Sequence, residues 1–176
     1  MVVRAFEAIE PSIDDSAYVD AAAVVIGDVH LGACSSVWPM AVIRGDVNAI
    51  RIGQRCSIQD GSVIHATHVG PYTGDGQATT IGDDVTMGHQ VIAHGCTIHD
   101  RVLVGMGAKI LDGAIIESDV MIGAGTLVSQ GKVLESGYMY YGAPVKKIRP
   151  LTEKELQYLT YTAAHYVKLH QRHQAG

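Results

Sequence analysis

Phenylalanine and tryptophan are almost missing: the 176 residues hold one of each, and eight tyrosines carry most of the aromatic surface. A core of the size such a chain can bury, which fits one domain, therefore cannot be aromatic. It has to come from the Val, Ile, Leu, Met and Ala behind most of the 47% hydrophobic content, and β-branched aliphatic residues favour strands. Cysteine is scarce as well. Cys34, Cys56 and Cys96 are odd in number, scattered and without CxxC spacing, which excludes a disulfide framework and a thiolate metal site; they read as small buried hydrophobes. Basic clusters are lacking and the formal charge is -5, which excludes a nucleic-acid surface built on Lys and Arg. No apolar run approaches the roughly 18 residues that span a bilayer, and the opening MVVRAFEAIEPS lacks a charged segment followed by a long apolar one. The expectation is a soluble, cytoplasmic protein whose partners are small molecules or copies of itself.

What is present is a repeat. An aliphatic residue returns every six positions through Val19, Val25, Leu31, Val37 and Ile43, then Ile52, Ile58 and Ile64, then Ile81 and Met87. From Ile98 it resumes through Val104, Ile110, Ile116, Ile122, Val128 and Leu134. A period of six fits neither the 3.6 of a helix nor a series of hairpins, which would need Asn-Gly-type turns at each reversal. It fits a short strand and a corner. Three units close one triangular coil of about 18 residues, with each marker pointing inward onto its equivalents in neighbouring coils, as in β-solenoids.

Three breaks interrupt the repeat, and insertions in a solenoid map to its corners. Ile43 to Ile52 carries three extra residues around Asp46, Val47 and Asn48, and Ile64 to Ile81 carries eleven, giving a corner loop near 66–80. Met87 to Ile98 is one residue short of two units. The repeat stops after Tyr141-Gly142-Ala143-Pro144, so the solenoid spans 1–150. Residues 151–176 hold a helix of the same domain: Thr152 and Glu155 form a capping box, the helix runs to about His173, and a stripe of Leu156, Leu159, Ala163, Tyr166 and Val167 packs along the solenoid.

Counting in coils turns sequence into geometry. Ile43 to Ile64 is one coil plus the three-residue insert, and Ile64 to Ala93 is one coil plus eleven. The residues after these markers, Arg44, His65 and His94, therefore stack in one column with rungs about 4.8 Å apart. Two imidazoles so placed can share one metal. Asp60, two after Ile58, falls beneath His89, two after Met87, with Gln59 beside them. His89 and His94 lie five residues apart along an extended face, about 16 Å by strand rise, whereas zinc-bound nitrogens lie about 2.0–2.1 Å from the ion. His89 can join His65 and His94 only from a neighbouring chain, as a cyclic trimer allows. Three imidazoles leave a fourth position open for water, whose ionisation near neutrality gives a metal-bound hydroxide. Arg44 with Asp46, or Arg44 with Asp60 across the interface, is expected to form an ion pair, and Gln59 to orient the hydroxide or a bound carbon dioxide. The blander alternatives are a turn-stabilising Arg44–Asp46 bridge, corner hydrogen bonds for Gln59 and Asp60, and packing for Tyr161. His30, His68, His99, His165, His170 and His173 read as ordinary histidines, those of the helix on a solvated face.

The stretches VIRGDVN at 42–48, SIQDGSVIH at 57–65 and MGHQVIAHGCTI at 87–98 together resemble the γ-class carbonic anhydrase family, and within it the small bacterial members of the YrdA type. The resemblance implies a left-handed parallel β-helix with a C-terminal α-helix, a homotrimer, and zinc bound by His65 and His94 of one chain with His89 of another. It implies reversible hydration of carbon dioxide to bicarbonate, interface roles for Arg44 and Asp46, and catalytic roles for Gln59, Asp60 and Tyr161 around the metal. Val47 departs from the pattern, standing where active members have glutamate. Asp75 is the only carboxylate between Thr67 and Thr80, so a proton shuttle is not obvious, slow turnover is expected, and His68 is a speculative substitute. Iron or cobalt would also accept three imidazoles. A scaffold with a structural metal, a hexapeptide acyltransferase using one histidine as base, and a thioesterase remain competing readings.

Overall fold

In the computed structural model, which describes residues 2–175, the chain winds into a parallel β-solenoid closed by one helix. Each coil contributes short strands to three faces. One face stacks Val42–Ile52 (its first half), Val63–His65, Ile92–His94, Lys109–Ile110 and Leu127–Val128 in parallel register. The second stacks the far half of Val42–Ile52 on Thr79–Ile81, Thr97–Ile98, Ile115–Ile116 and Val133–Leu134. The third runs from Tyr18–Val19 through Ser36–Val37, Ser57–Ile58, Thr86–Met87, Leu103–Val104 and Met121–Ile122 to Tyr138–Tyr141.

The six-residue markers from Val25 to Leu134 all lie inside, none more than 2% exposed. Val19, in the first coil, is only half-buried. Ala93 fills the marker place where the repeat runs one short: it is fully buried and in register with both Ile64 and Ile110, and Gly95, in the left-handed region at φ +56°, turns the shortened corner. The three-residue insert is absorbed inside the continuous strand Val42–Ile52, which rounds a corner beside Val24–Leu31. There Gly27 and Gly45 let two backbones approach so closely that a Cβ on Gly27 would sit 2.4 Å from the Gly45 carbonyl oxygen. The eleven-residue insert forms a folded-back excursion closed by the bridges Thr67–Gln77 and Gly70–Gly74.

Lys146–Pro150 turns back antiparallel on Tyr138–Tyr141 and ends the stack. The helix Glu153–Gln174 follows, with Thr152 and Glu155 in a reciprocal capping box, and lies across the third face. Leu159, Thr162, Ala163 and His170 are its buried residues, whereas Leu156 stays 37% exposed. His170 corrects the solvated-face expectation: it is 1% exposed and stacks on Tyr18 at 6.2 Å, because the helix seats on an aromatic patch formed by Tyr18 and Trp38. His165 and His173 are exposed, the latter edge-on to Trp38 at 5.2 Å. The cysteines also divide. Cys56 and Cys96 are buried, and burial pushes both thiols up to about 12. Cys34 instead sits half-buried at a corner with φ +57°. No helix among the described residues is long and apolar enough to cross a membrane.

Candidate metal centre

The strand register puts His65 directly beside His94, so two imidazoles project from the same face on adjacent rungs. His65 Nδ1 and His94 Nε2 lie 3.1 Å apart. Their far nitrogens are engaged by carboxylates: His65 Nε2 with Asp46 Oδ1 at 3.0 Å, and His94 Nδ1 with Asp112 Oδ1 at 2.5 Å. An ionised carboxylate is an acceptor only, so each far nitrogen donates its N–H and each near nitrogen keeps its lone pair. Two lone pairs then point at one another, an arrangement that requires a cation between them, a proton or a metal ion. Tetrahedral bonds of about 2.0–2.1 Å would hold two such nitrogens roughly 3.3 Å apart, close to the separation seen. The donor set fits zinc or a similar divalent ion.

The protonation states follow the same logic. Burial opposes the charge of Asp46, but hydrogen bonds from Arg44 and His65 outweigh it and hold the carboxyl below its ordinary range. Burial is the main force on His65; the Arg44 guanidinium and His94 add to it against the pull of Asp46, so the imidazolium is pushed below the ordinary 6.5. Neutral imidazole is the form that binds metal. Arg44 donates to Asp46 at 2.5 Å within the chain, so of the two pairings expected for Arg44 the local one forms here.

His89 stands apart. Its Nδ1 meets Asp60 Oδ2 at 2.8 Å, with both side chains about half-exposed at 50% and 48%, as the column count placed them. Gln59 is buried at 4% exposure and reaches the Tyr166 hydroxyl. Tyr161 is 62% exposed and stacks between Tyr158 and His165. Gln59, His89 and Tyr161 line one cleft of about 480 Å³ between the helix and the third face, floored by Leu103 and Val104. The buried Thr86 Oγ1, which has no hydrogen-bond partner among the described residues, also borders it. The predicted residues thus fall into two separate groups, Arg44, Asp46, His65 and His94 in one and Gln59, Asp60, His89 and Tyr161 in the other. Among the described residues of a single chain, no three metal-binding side chains converge. Val47 is 40% exposed, and Asp75 and His68 are exposed on the corner loop.

Asp112 was not singled out from sequence. Its signal was available in the coil count, since it follows His94 by 18 residues, but it sits two places after its marker rather than one.

The family model described as bacterial transferase hexapeptide (six repeats) matches residues 95–130. Protein YrdA of Escherichia coli is 56% identical over 167 residues, covering 95% of this chain and 91% of that protein. Gamma carbonic anhydrase 1, mitochondrial, of Arabidopsis thaliana is 42% identical over 165 residues, 94% of this chain and 60% of the relative. The chain belongs to the γ-carbonic anhydrase family. Among solved structures, a hexapeptide transferase family protein from Anaplasma phagocytophilum superposes with a TM-score of 0.88 at 37% identity, covering 96% of this chain and 95% of that one. The γ-carbonic anhydrase family thus shares its solenoid with proteins described as transferases, so the fold leaves the choice of chemistry to the side chains.

Proposed function

We propose that the protein is a zinc-dependent carbonic anhydrase acting as a homotrimer, hydrating carbon dioxide reversibly to bicarbonate at sites shared between subunits. His65 and His94 of one chain bind the metal together with His89 of the partner subunit. The observation that carries this reading is the pair of ring nitrogens facing each other at 3.1 Å while a carboxylate engages the far nitrogen of each ring; relatives named as carbonic anhydrases, 42–50% identical over most of the chain, support it. Bound zinc would supply Lewis acidity that makes water a nucleophile near neutral pH. Asp46 holds the proton on His65 Nε2 and so keeps Nδ1 free, and Arg44 keeps Asp46 ionised. Gln59, anchored by its burial, offers an amide to orient substrate, Asp60 orients His89, and Tyr161 walls the cleft. Iron or cobalt can take the same three imidazoles.

Metal content and stopped-flow carbon dioxide hydration, measured on the same anaerobically purified wild type and on His94→Ala, test the reading. Metal and hydration present in the wild type and lost in the variant support it. A fully metallated wild type without hydration overturns it in favour of a second reading: a trimeric hexapeptide protein whose metal staples subunits or serves an acyltransferase or thioesterase. Two observations favour that second reading, the transferase described on the same fold and the exposed apolar Val47 beside Asp46.

A further inference from the structure

Asp112 belongs to neither of the columns expected from sequence, yet its carboxylate accepts a hydrogen bond from His94 directly. We propose that Asp112, itself held by Thr67, is a positioning residue that fixes the ring orientation and tautomer of His94, leaving Nε2 unprotonated and aimed at His65. This inference rests on the metal reading of His65 and His94.

A neutral imidazole exchanges its proton between its two nitrogens and its ring turns about the Cβ–Cγ bond, so an unrestrained histidine offers a given lone pair only part of the time. The Asp112 carboxylate removes both freedoms, because only Nδ1–H can donate to Oδ1. Its other oxygen is occupied: Thr67 Oγ1 donates to Oδ2 at 2.8 Å. Thr67 is in turn pinned through its backbone. Its N–H donates to the Gln77 carbonyl at 2.8 Å, its own carbonyl accepts from Gln77 N–H at 3.0 Å, and the Asn48 amide donates to that carbonyl at 3.1 Å. The stem of the corner loop and the three-residue insert therefore both terminate on the residue that holds Asp112. Space for the carboxylate is made on the His94 rung itself, where a Cβ on Gly95 would lie 2.6 Å from Asp112 Oδ1. A side chain there would push the carboxylate off His94.

The test uses the assembled protein with Asp112→Ala, Asp112→Asn and Thr67→Val. The readouts are histidine side-chain 15N–1H correlation spectra of the metal-free protein at pH 9, and zinc affinity by chelator competition. Asp112→Ala is expected to shift His94 from Nδ1–H towards Nε2–H and to weaken zinc binding about 10–100-fold, with particle mass unchanged. Asp112→Asn keeps an acceptor towards His94 and an amide towards Thr67, and is expected to restore the wild-type tautomer. If Asp112→Ala does not assemble, the isosteric Thr67→Val decides: a mixed His94 tautomer supports the proposal, and a wild-type spectrum with wild-type zinc affinity overturns it. An unchanged tautomer and affinity in Asp112→Ala overturn it outright. A wild type that binds no zinc defeats the metal reading alone, because the tautomer still reports whether Asp112 positions His94.

Discussion

Two edges of the solenoid stack side chains rung upon rung to opposite effect. Along one corner Arg55, Asp84, Arg101 and Asp119 follow one another in the left-handed region, with φ between 54° and 61°. Arg55 donates two bonds to Asp84, both 2.7 Å, and Arg101 donates two to Asp119 at 2.7 and 2.9 Å. Donor meets acceptor, and each arginine is held more firmly protonated by the carboxylate it grips. On the histidine edge the stack places acceptor against acceptor. The first column is complete as it stands; the second pairs like with like and would accept a cation between its ring nitrogens. Where periodic stacking satisfies itself the residues serve architecture, and where it leaves an electrostatic gap they are available for chemistry.

The sharpest way to break this comparison is to divide the gap between chains. His89→Ala and His94→Ala are each expected to abolish hydration. Random mixing of the two variants produces mixed trimers in about three-quarters of cases, each with one intact site of three, so about a quarter of wild-type activity should return. Recovery is read by stopped-flow assay after co-expression, and none is expected if all three histidines of a site belong to one subunit.

Architecture can be damaged without touching the histidine edge. Ile116→Ala, at a fully buried marker in a later coil, should cost about 2–5 kcal/mol in denaturant unfolding while leaving zinc stoichiometry intact. On the self-satisfied corner, Asp119→Asn keeps a residue that tolerates the left-handed conformation but loses the charge. For so exposed a pair the loss should be under about 1 kcal/mol, a fall of roughly 2–4 °C at most in the thermal midpoint, with hydration unchanged.

The smallest effect expected is with pH. The folded metal-free protein holds the His65 imidazolium below the ordinary 6.5, so the unfolded chain takes up that proton first. Stability should therefore fall as pH drops below about 6.5, until the folded state also protonates. His65→Gln should flatten that part of the profile in calorimetry between pH 7 and 5.

Much of this was legible in the sequence because a solenoid turns position into geometry by counting. Ile64, Ala93 and Ile110 share one address, and His65 beside His94 follows from it. Asp60 beneath His89 came from the same arithmetic. What escaped depends on side chains leaving their own rung. Asp112 reaches across Gly95 to the previous coil, a move no marker count describes. The Arg55–Asp84 and Arg101–Asp119 pairs sit at corners in the left-handed region, which glycine advertises and arginine does not. His170 was misplaced because a helical stripe identifies apolar positions, and the surface receiving this helix is aromatic, where an imidazole stacks as well as an aliphatic residue packs.

The helix has a consequence of its own. In a solenoid each coil touches only its neighbours, so the two ends are free to unzip independently. Here the helix begins after the last coil and runs back to the first, where His170 stacks on Tyr18 and the Gln174 amide donates to the Ala17 carbonyl, a link across 157 residues of chain. That return ties the coil of Tyr18 and Ala17 to the C-terminal end and makes a linear stack a closed circuit: opening that coil must first break a contact with the helix, so the coils are expected to melt as a single cooperative unit.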